Sequence, residues 1–167
     1  MREMDDTVSP GTGLTKEEKL QAVFEKYSDM IKVKNLRWYY PTGTKWDKKK
    51  IDKFLKYFCI PMKMDEVTAF LDTTLFKTGK EGLLFTKRGI VIKETINKLY
   101  FLEYCKIKDA ELQEEFNDAG YLTDSKLIIR FDDGTERIVF DYYIRKYYFV
   151  DYINEVVHLL AEYEPKI

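Results

Sequence analysis

Four cations stand in the two turns that flank "EGLLFTKRGIVIKE": Lys77 and Lys80 before Gly82, and Lys87 and Arg88 after Thr86. Ammonium and guanidinium groups on turns are the residue types that grip a phosphate or a carboxylate, so an anionic ligand, a lipid head group included, is the first chemistry they suggest. Consecutive turns of an antiparallel meander lie at opposite ends of the strand between them, which predicts two separate pairs of cations and not one cup. Gly89 in the second turn is explained by the reversal itself.

Residues for bond-making chemistry are few. His158 is the single histidine and borders an apolar stripe in "EVVHLLAEY", which reads as a partly buried packing residue more readily than a general base. Cys59 and Cys105 are far apart, belong to no C-x-x-C pair, and read as reduced, buried packing residues. Asp132, Asp133, Glu136 and Asp141 are the carboxylates that metal-dependent phosphodiester cleavage would need near a strand edge, yet Asp133-Gly134 is already accounted for as a hairpin turn. "GTGLTKEE" lacks the spacing of a phosphate loop. No catalytic residue, cofactor or metal is therefore expected.

Aromatic side chains are the stronger signal, with 13 Tyr and 11 Phe. Trp38, Tyr39, Tyr40 and Trp46 alternate with Arg37 and Lys45, a composition suited to stacking on bases, to contact with a protein, or to filling a seam within the fold. In "DYYIRKYYFVDYI" one helical face cannot hide six aromatics, and Tyr147, Tyr148 and Tyr152 are the ones left for a partner surface. "WDKKKIDKFLKY" surrounds an apolar stripe with lysines, which suits either a core-facing helix or a membrane-surface helix.

These residues need a scaffold, and the chain is long enough for one good core: 167 residues, 45% hydrophobic. With 28 Lys and Arg against 29 Asp and Glu the net charge is -1, which gives no broad field for nucleic acid, so a nucleic-acid partner is not expected. Neither a signal peptide nor a spanning segment is present in the sequence, and a cytoplasmic location is expected. Residues 1–13 read as a loose polar tail. Thr15 and Glu18 have capping-box spacing, followed by Leu20, Val23, Phe24, Tyr27 and Ile31 at helical steps. Pro41 and Gly43 break the chain, and a second helix capped by Thr44 or Asp47 carries Ile51, Phe54, Leu55 and Phe58.

From Glu66 the period shortens to that of strands, predicted at "VTAFLDT", "GLLFT", "GIVIK", "KLYFLEYCKI", "KLIIRF" and "RIVFDYY". Residues 108–125 read as a mostly polar connection, longer than a minimal hairpin, with room for a further short strand or helical turn near Leu112 and for a partner-specific elaboration. Phe149, Ile153, Val156 and Leu160 return to helical spacing. Helices, then antiparallel strands, then a helix make an α+β chain.

"FLDTTLFKTGKEGLLFTKRGIVIKE", with "LYFLEYCKI" and a closing amphipathic helix, resembles bacterial pleckstrin-homology-like domains over about Glu66 to Tyr163. The resemblance implies a bent antiparallel barrel of six to seven strands closed by the C-terminal helix, preceded here by a two-helix annex over residues 14–65. The family has no fixed catalytic set to carry over, and the surface aromatics favour a non-catalytic protein-interaction or regulatory module of a bacterium or phage, inhibitor- or immunity-type proteins included, that binds another protein. The resemblance also makes the first basic turn, with Lys77 and Lys80, the better candidate for the alternative, an anionic lipid or phosphate ligand.

Overall fold

The computed structural model describes residues 13–74, 77–95, 98–139 and 143–164. Most of the N-terminal tail, together with Asp141 and Tyr142, lies outside them. Helix α1 (Lys16–Ile31) begins at the expected box: Thr15 Oγ1 accepts from the Glu18 N–H at 3.1 Å, and Glu18 Oε1 accepts from the Thr15 N–H at 2.9 Å. Strand β1 (Trp38–Tyr39) follows, and helix α2 (Lys45–Tyr57) starts at Thr44, whose hydroxyl accepts from the Asp47 N–H.

Five antiparallel strands form one sheet in the order β1, β2 (Val67–Asp72), β3 (Gly82–Thr86), β4 (Gly89–Lys93) and β5 (Tyr100–Glu103). A second sheet of three holds β6 (Ile107–Phe116), β7 (Leu122–Phe131) and β8 (Glu136–Val139), after which comes α3 (Lys146–Ala161). All five residues of "GLLFT" are buried. The cause is cover on both faces of the first sheet, which removes the need for alternation. Phe70, Leu84 and Val91 point to Ile51, Phe54 and Leu55 of α2. Their strand neighbours Leu71, Leu83, Phe85, Ile90 and Ile92 join the larger core with α1, α3 and the second sheet. Thus α1 and α2, expected together as an annex, pack on opposite faces of one sheet.

The expected barrel is not closed. The strand edges explain this: β1 takes the outer edge of β2, and on β6 the N–H and C=O of Ala110 are both engaged by the Asn154 side chain of α3, at 2.8 and 2.9 Å. "KLYFLEYCKI" is two strands and not one, broken by a 3-10 turn over Tyr104–Lys106. Residues 108–125 are no mere connection either, since they extend β6 and β7 into a long hairpin. The Asp133-Gly134 turn is formed as expected, with the Gly134 N–H donating to the Phe131 carbonyl and the Thr135 N–H to Asp133 Oδ1. Both cysteines are free and exposed, contrary to their expected burial: Cys59 lies just past the end of α2 at φ 52°, and Cys105 is turned outward by the 3-10 turn. His158 likewise faces out, because Phe149, Tyr152, Ile153 and Val156 form the buried stripe of α3.

Candidate interaction surfaces

The two basic turns stand apart, at opposite ends of β3. The first is built on the buried carboxylate of Asp72, which accepts from the Thr74 N–H at 2.9 Å, the Thr74 hydroxyl at 2.6 Å, the Gly79 N–H at 3.0 Å and Lys50 Nζ at 3.2 Å. Lys50 also donates to the Lys77 carbonyl. The loop therefore has an internal counter-ion already. Lys77 points outward, and Lys80 Nζ lies 5.1 Å from the centre of the Tyr57 ring on α2. In the second turn the Thr86 hydroxyl accepts from the N–H groups of Arg88 and Gly89. Arg88 rests over Phe101, while Lys87 lines a cleft of about 360 Å³ with Glu17, Gln21, Tyr40 and Asp65. Two carboxylates beside Lys87 make that cleft a poor anion site.

Two of the expected partner-surface residues are core residues. Trp38 is buried with its indole N–H donating to the Ser28 carbonyl at 2.9 Å, and its ring meets Phe24 and Phe85 edge-on. Tyr152 is buried against Tyr104, hydroxyl to hydroxyl at 2.8 Å, because α3 enters with residue 152 on the stripe of Phe149, Ile153 and Val156. Tyr39 is half-buried between Arg37 and Lys50, and Tyr40 is half-buried at the cleft, where burial raises its hydroxyl pKa. Tyr148 is half-buried as well. Tyr147 is 63% exposed, with its ring edge-on to Tyr148.

Two surfaces stand out from the rest. On α2, Trp46, Lys49, Lys53 and Tyr57 recur at three- and four-residue steps and so share one face. Trp46 is 72% and Tyr57 55% exposed, and Lys49 Nζ lies 5.3 Å from the Trp46 ring. Asp47 is turned inward, where it accepts from the Tyr40 N–H, the Thr44 hydroxyl and Arg37, and Asp52 pairs with Lys56. The remaining outward charge of this face is positive.

The second surface is the β6–β7 arm, formed by the segment expected to be a polar connection. Its base is held by β8, which among the described residues pairs with Leu127 to Arg130, by the Asn154 bonds to Ala110, and by Lys146 Nζ, which donates to the Ser125 carbonyl at 2.8 Å. Beyond Leu112, β6 and β7 pair with each other alone among the described residues. Asn117 shapes the tip: its side-chain oxygen accepts from the N–H groups of Ala119 and Tyr121, and Gly120 has a φ of 85°. Around that tip Phe116, Tyr121 and Leu122 are 59%, 72% and 52% exposed. Residues 112–125 contain Glu114, Glu115, Asp118 and Asp124 and no base. The "NDAG" turn was the available signal.

At the base of the arm three acidic side chains share one arginine. Arg130 binds Asp109 at 2.9 Å, Glu136 at 3.3 Å and also Glu111, whose carboxyl it holds below the usual range. Among the described residues no three His, Cys, Asp or Glu side chains stand close enough to hold a metal ion, and no helix is long and apolar enough to cross a membrane. Comparison of the chain with models of known families, with curated proteins and with solved structures found no match.

Proposed function

We propose that the chain is a non-catalytic protein-interaction module of the pleckstrin-homology-like type, and that the β6–β7 arm is its contact element. The fold assignment is supported by the order of elements: four antiparallel strands, β2 to β5, then three, β6 to β8, then a helix packed on the core. The additions α1, β1 and α2 cover the first sheet.

One observation carries the functional reading, the exposure of Phe116, Tyr121 and Leu122 at the tip of a ribbon whose outer residues, 113–124, are all exposed. A two-stranded ribbon gains little stability alone, and large apolar groups at its tip are costly in water until a partner covers them. The four carboxylates around the tip repel phosphate surfaces, which favours a protein partner over a membrane or nucleic acid.

The test is a photo-reactive phenylalanine analogue placed at Tyr121 in the full chain, irradiated in its host cells. Adducts with another polypeptide chain are expected, and they should be lost when Phe116→Ser and Leu122→Ser are added. Absence of adducts at Tyr121 would overturn the assignment of the arm.

A further inference from the structure

Helix α2 packs on the first sheet and the arm belongs to the second, and among the described residues no ion pair or hydrogen bond joins the lysines of one to the carboxylates of the other. We propose that the arm's partner is a second copy of this chain, with the arm of one copy seated on the face of α2 that runs from Trp46 to Tyr57 in the next. This rests on the reading of the arm as the contact element.

Charge makes the first argument. Four carboxylates and no base lie between residues 112 and 125, with Lys126 beside Asp124 at the end of that span, whereas α2 carries six lysines, of which Lys50 is held by Asp72 and Lys56 by Asp52. Within the arm, Glu115 and Asp124 are directly opposite each other across the ribbon. Like charges in that position destabilise a strand pair, and Lys126 Nζ, 3.8 Å from Asp124, answers one of them. On the other face of the ribbon Glu114 is exposed, as are Lys49 and Lys53 on α2.

Shape and apolar content agree. Trp46 and Tyr57 are eleven residues apart on the helix, about 16 Å. One strand of the arm from Gln113 to Phe116 extends about 10 Å, short enough to lie along that stretch of helix. Phe116 and Leu122 are paired across the ribbon, so they offer one apolar spot beside Glu114, which lies two residues back on the same face. Exposed aromatics flanking lysines on one surface, and exposed aromatics flanking carboxylates on the other, are the two halves of an interface whose centre is aromatic and whose rim is charged. A membrane or a nucleic acid would suit the α2 face alone and would repel the arm. A second copy satisfies both with one contact. Because the two patches differ, the contact is heterologous and leads to a ring or chain unless two copies exchange arms about a two-fold axis.

Sedimentation velocity of the purified full chain tests this. Association is expected at low salt and should weaken at about 1 M salt, where the screening length falls to about 3 Å. The double variant K49E/K53E and the double variant E114K/E115K should each associate more than about tenfold more weakly, since each sets like charges against like. An equimolar mixture of the two should associate again, because each then meets the opposite charge. All four sites are exposed, so thermal melting should stay near that of the parent chain. A parent chain that stays monomeric at every concentration would overturn the proposal, as would a mixture that fails to recover association. Binding of the monomeric parent to phosphatidylserine vesicles or to duplex DNA, lost in K49E/K53E, would instead assign the α2 face to that anion and overturn it too. Tyr121 adducts with a different polypeptide, from a chain that is monomeric alone, would retire the second copy and leave the interaction module standing.

Discussion

The hydroxyl oxygens of Tyr104 and Tyr152 lie 2.8 Å apart in the middle of the larger core, where each satisfies the other and burial pushes both ionisations well up. Removing one hydroxyl strands the other. Tyr104→Phe or Tyr152→Phe alone should cost about 1–3 kcal/mol, while the double replacement should cost less than the sum of the two. Urea unfolding of the four proteins in this cycle measures the coupling, and simple additivity would show that the bond contributes nothing.

Asp72 is the hub of the loop that carries Lys77. Its replacement by Ala leaves Lys50 without its carboxylate and frees the N–H groups of Thr74 and Gly79. A loss of about 3–5 kcal/mol is expected. The loop should also gain protease sensitivity near Lys77, which limited trypsin digestion reads directly.

Asp47 links stability to pH. Burial alone would raise its pKa, but the Tyr40 N–H, the Thr44 hydroxyl and Arg37 overcome that and hold it below the usual value. A lowered folded-state pKa stabilises above the unfolded value, about 3.9, and the contribution fades as pH falls through the folded one. Asp47→Asn should therefore be less stable than the parent at pH 7, by about 1–3 kcal/mol, mainly through the two hydrogen bonds because Arg37 is exposed. The gap should narrow between about pH 5 and pH 2. Urea midpoints across that range would show it, and a pH-independent gap would exclude the linkage.

Asn154 acts on β6 as a substitute strand, giving and receiving one bond with Ala110. Asn154→Leu should cost about 1–3 kcal/mol and loosen the base of the arm. Faster amide exchange at Ala110, with the α1 amides unchanged, is the expected signature.

Gly89 is fixed by close approach. A Cβ there would stand 2.1 Å from the Leu102 carbonyl oxygen and 2.8 Å from the Phe101 ring. Gly89→Ala should cost at least about 1–3 kcal/mol by forcing β4 and β5 apart. A melting temperature equal to that of the parent would mean the backbone absorbs the methyl group without strain.

Much of this fold was legible wherever at least one face of an element is buried. The Thr15 box, the stripe from Leu20 to Ile31, the apolar runs of β3 and β4 and the Asp133-Gly134 turn all announce themselves by residue type and period. The arm did not, because neither side of its outer half is buried and nothing selects alternation there. Trp38 fills the seam between α1 and β3 that its composition allowed, whereas Tyr152 differs from its expected place for the opposite reason: a polar atom on a large ring reads as a surface feature until its buried partner is known. Cys59 and Cys105 show the converse, since burial is common for the residue type but is decided by the turn that carries it.

The cover on both sides of β3 has a kinetic meaning as well. Leu83 and Phe85 fill one compartment and Leu84 the other, with Phe70 and Val91 beside Leu84. A slip of one residue in the pairing with β2 or β4 would send each side chain through the wall to the wrong room, emptying both at once. Misregistered chains thus gain nothing from half-right packing, and the two rooms are expected to furnish and empty together in a single unfolding transition.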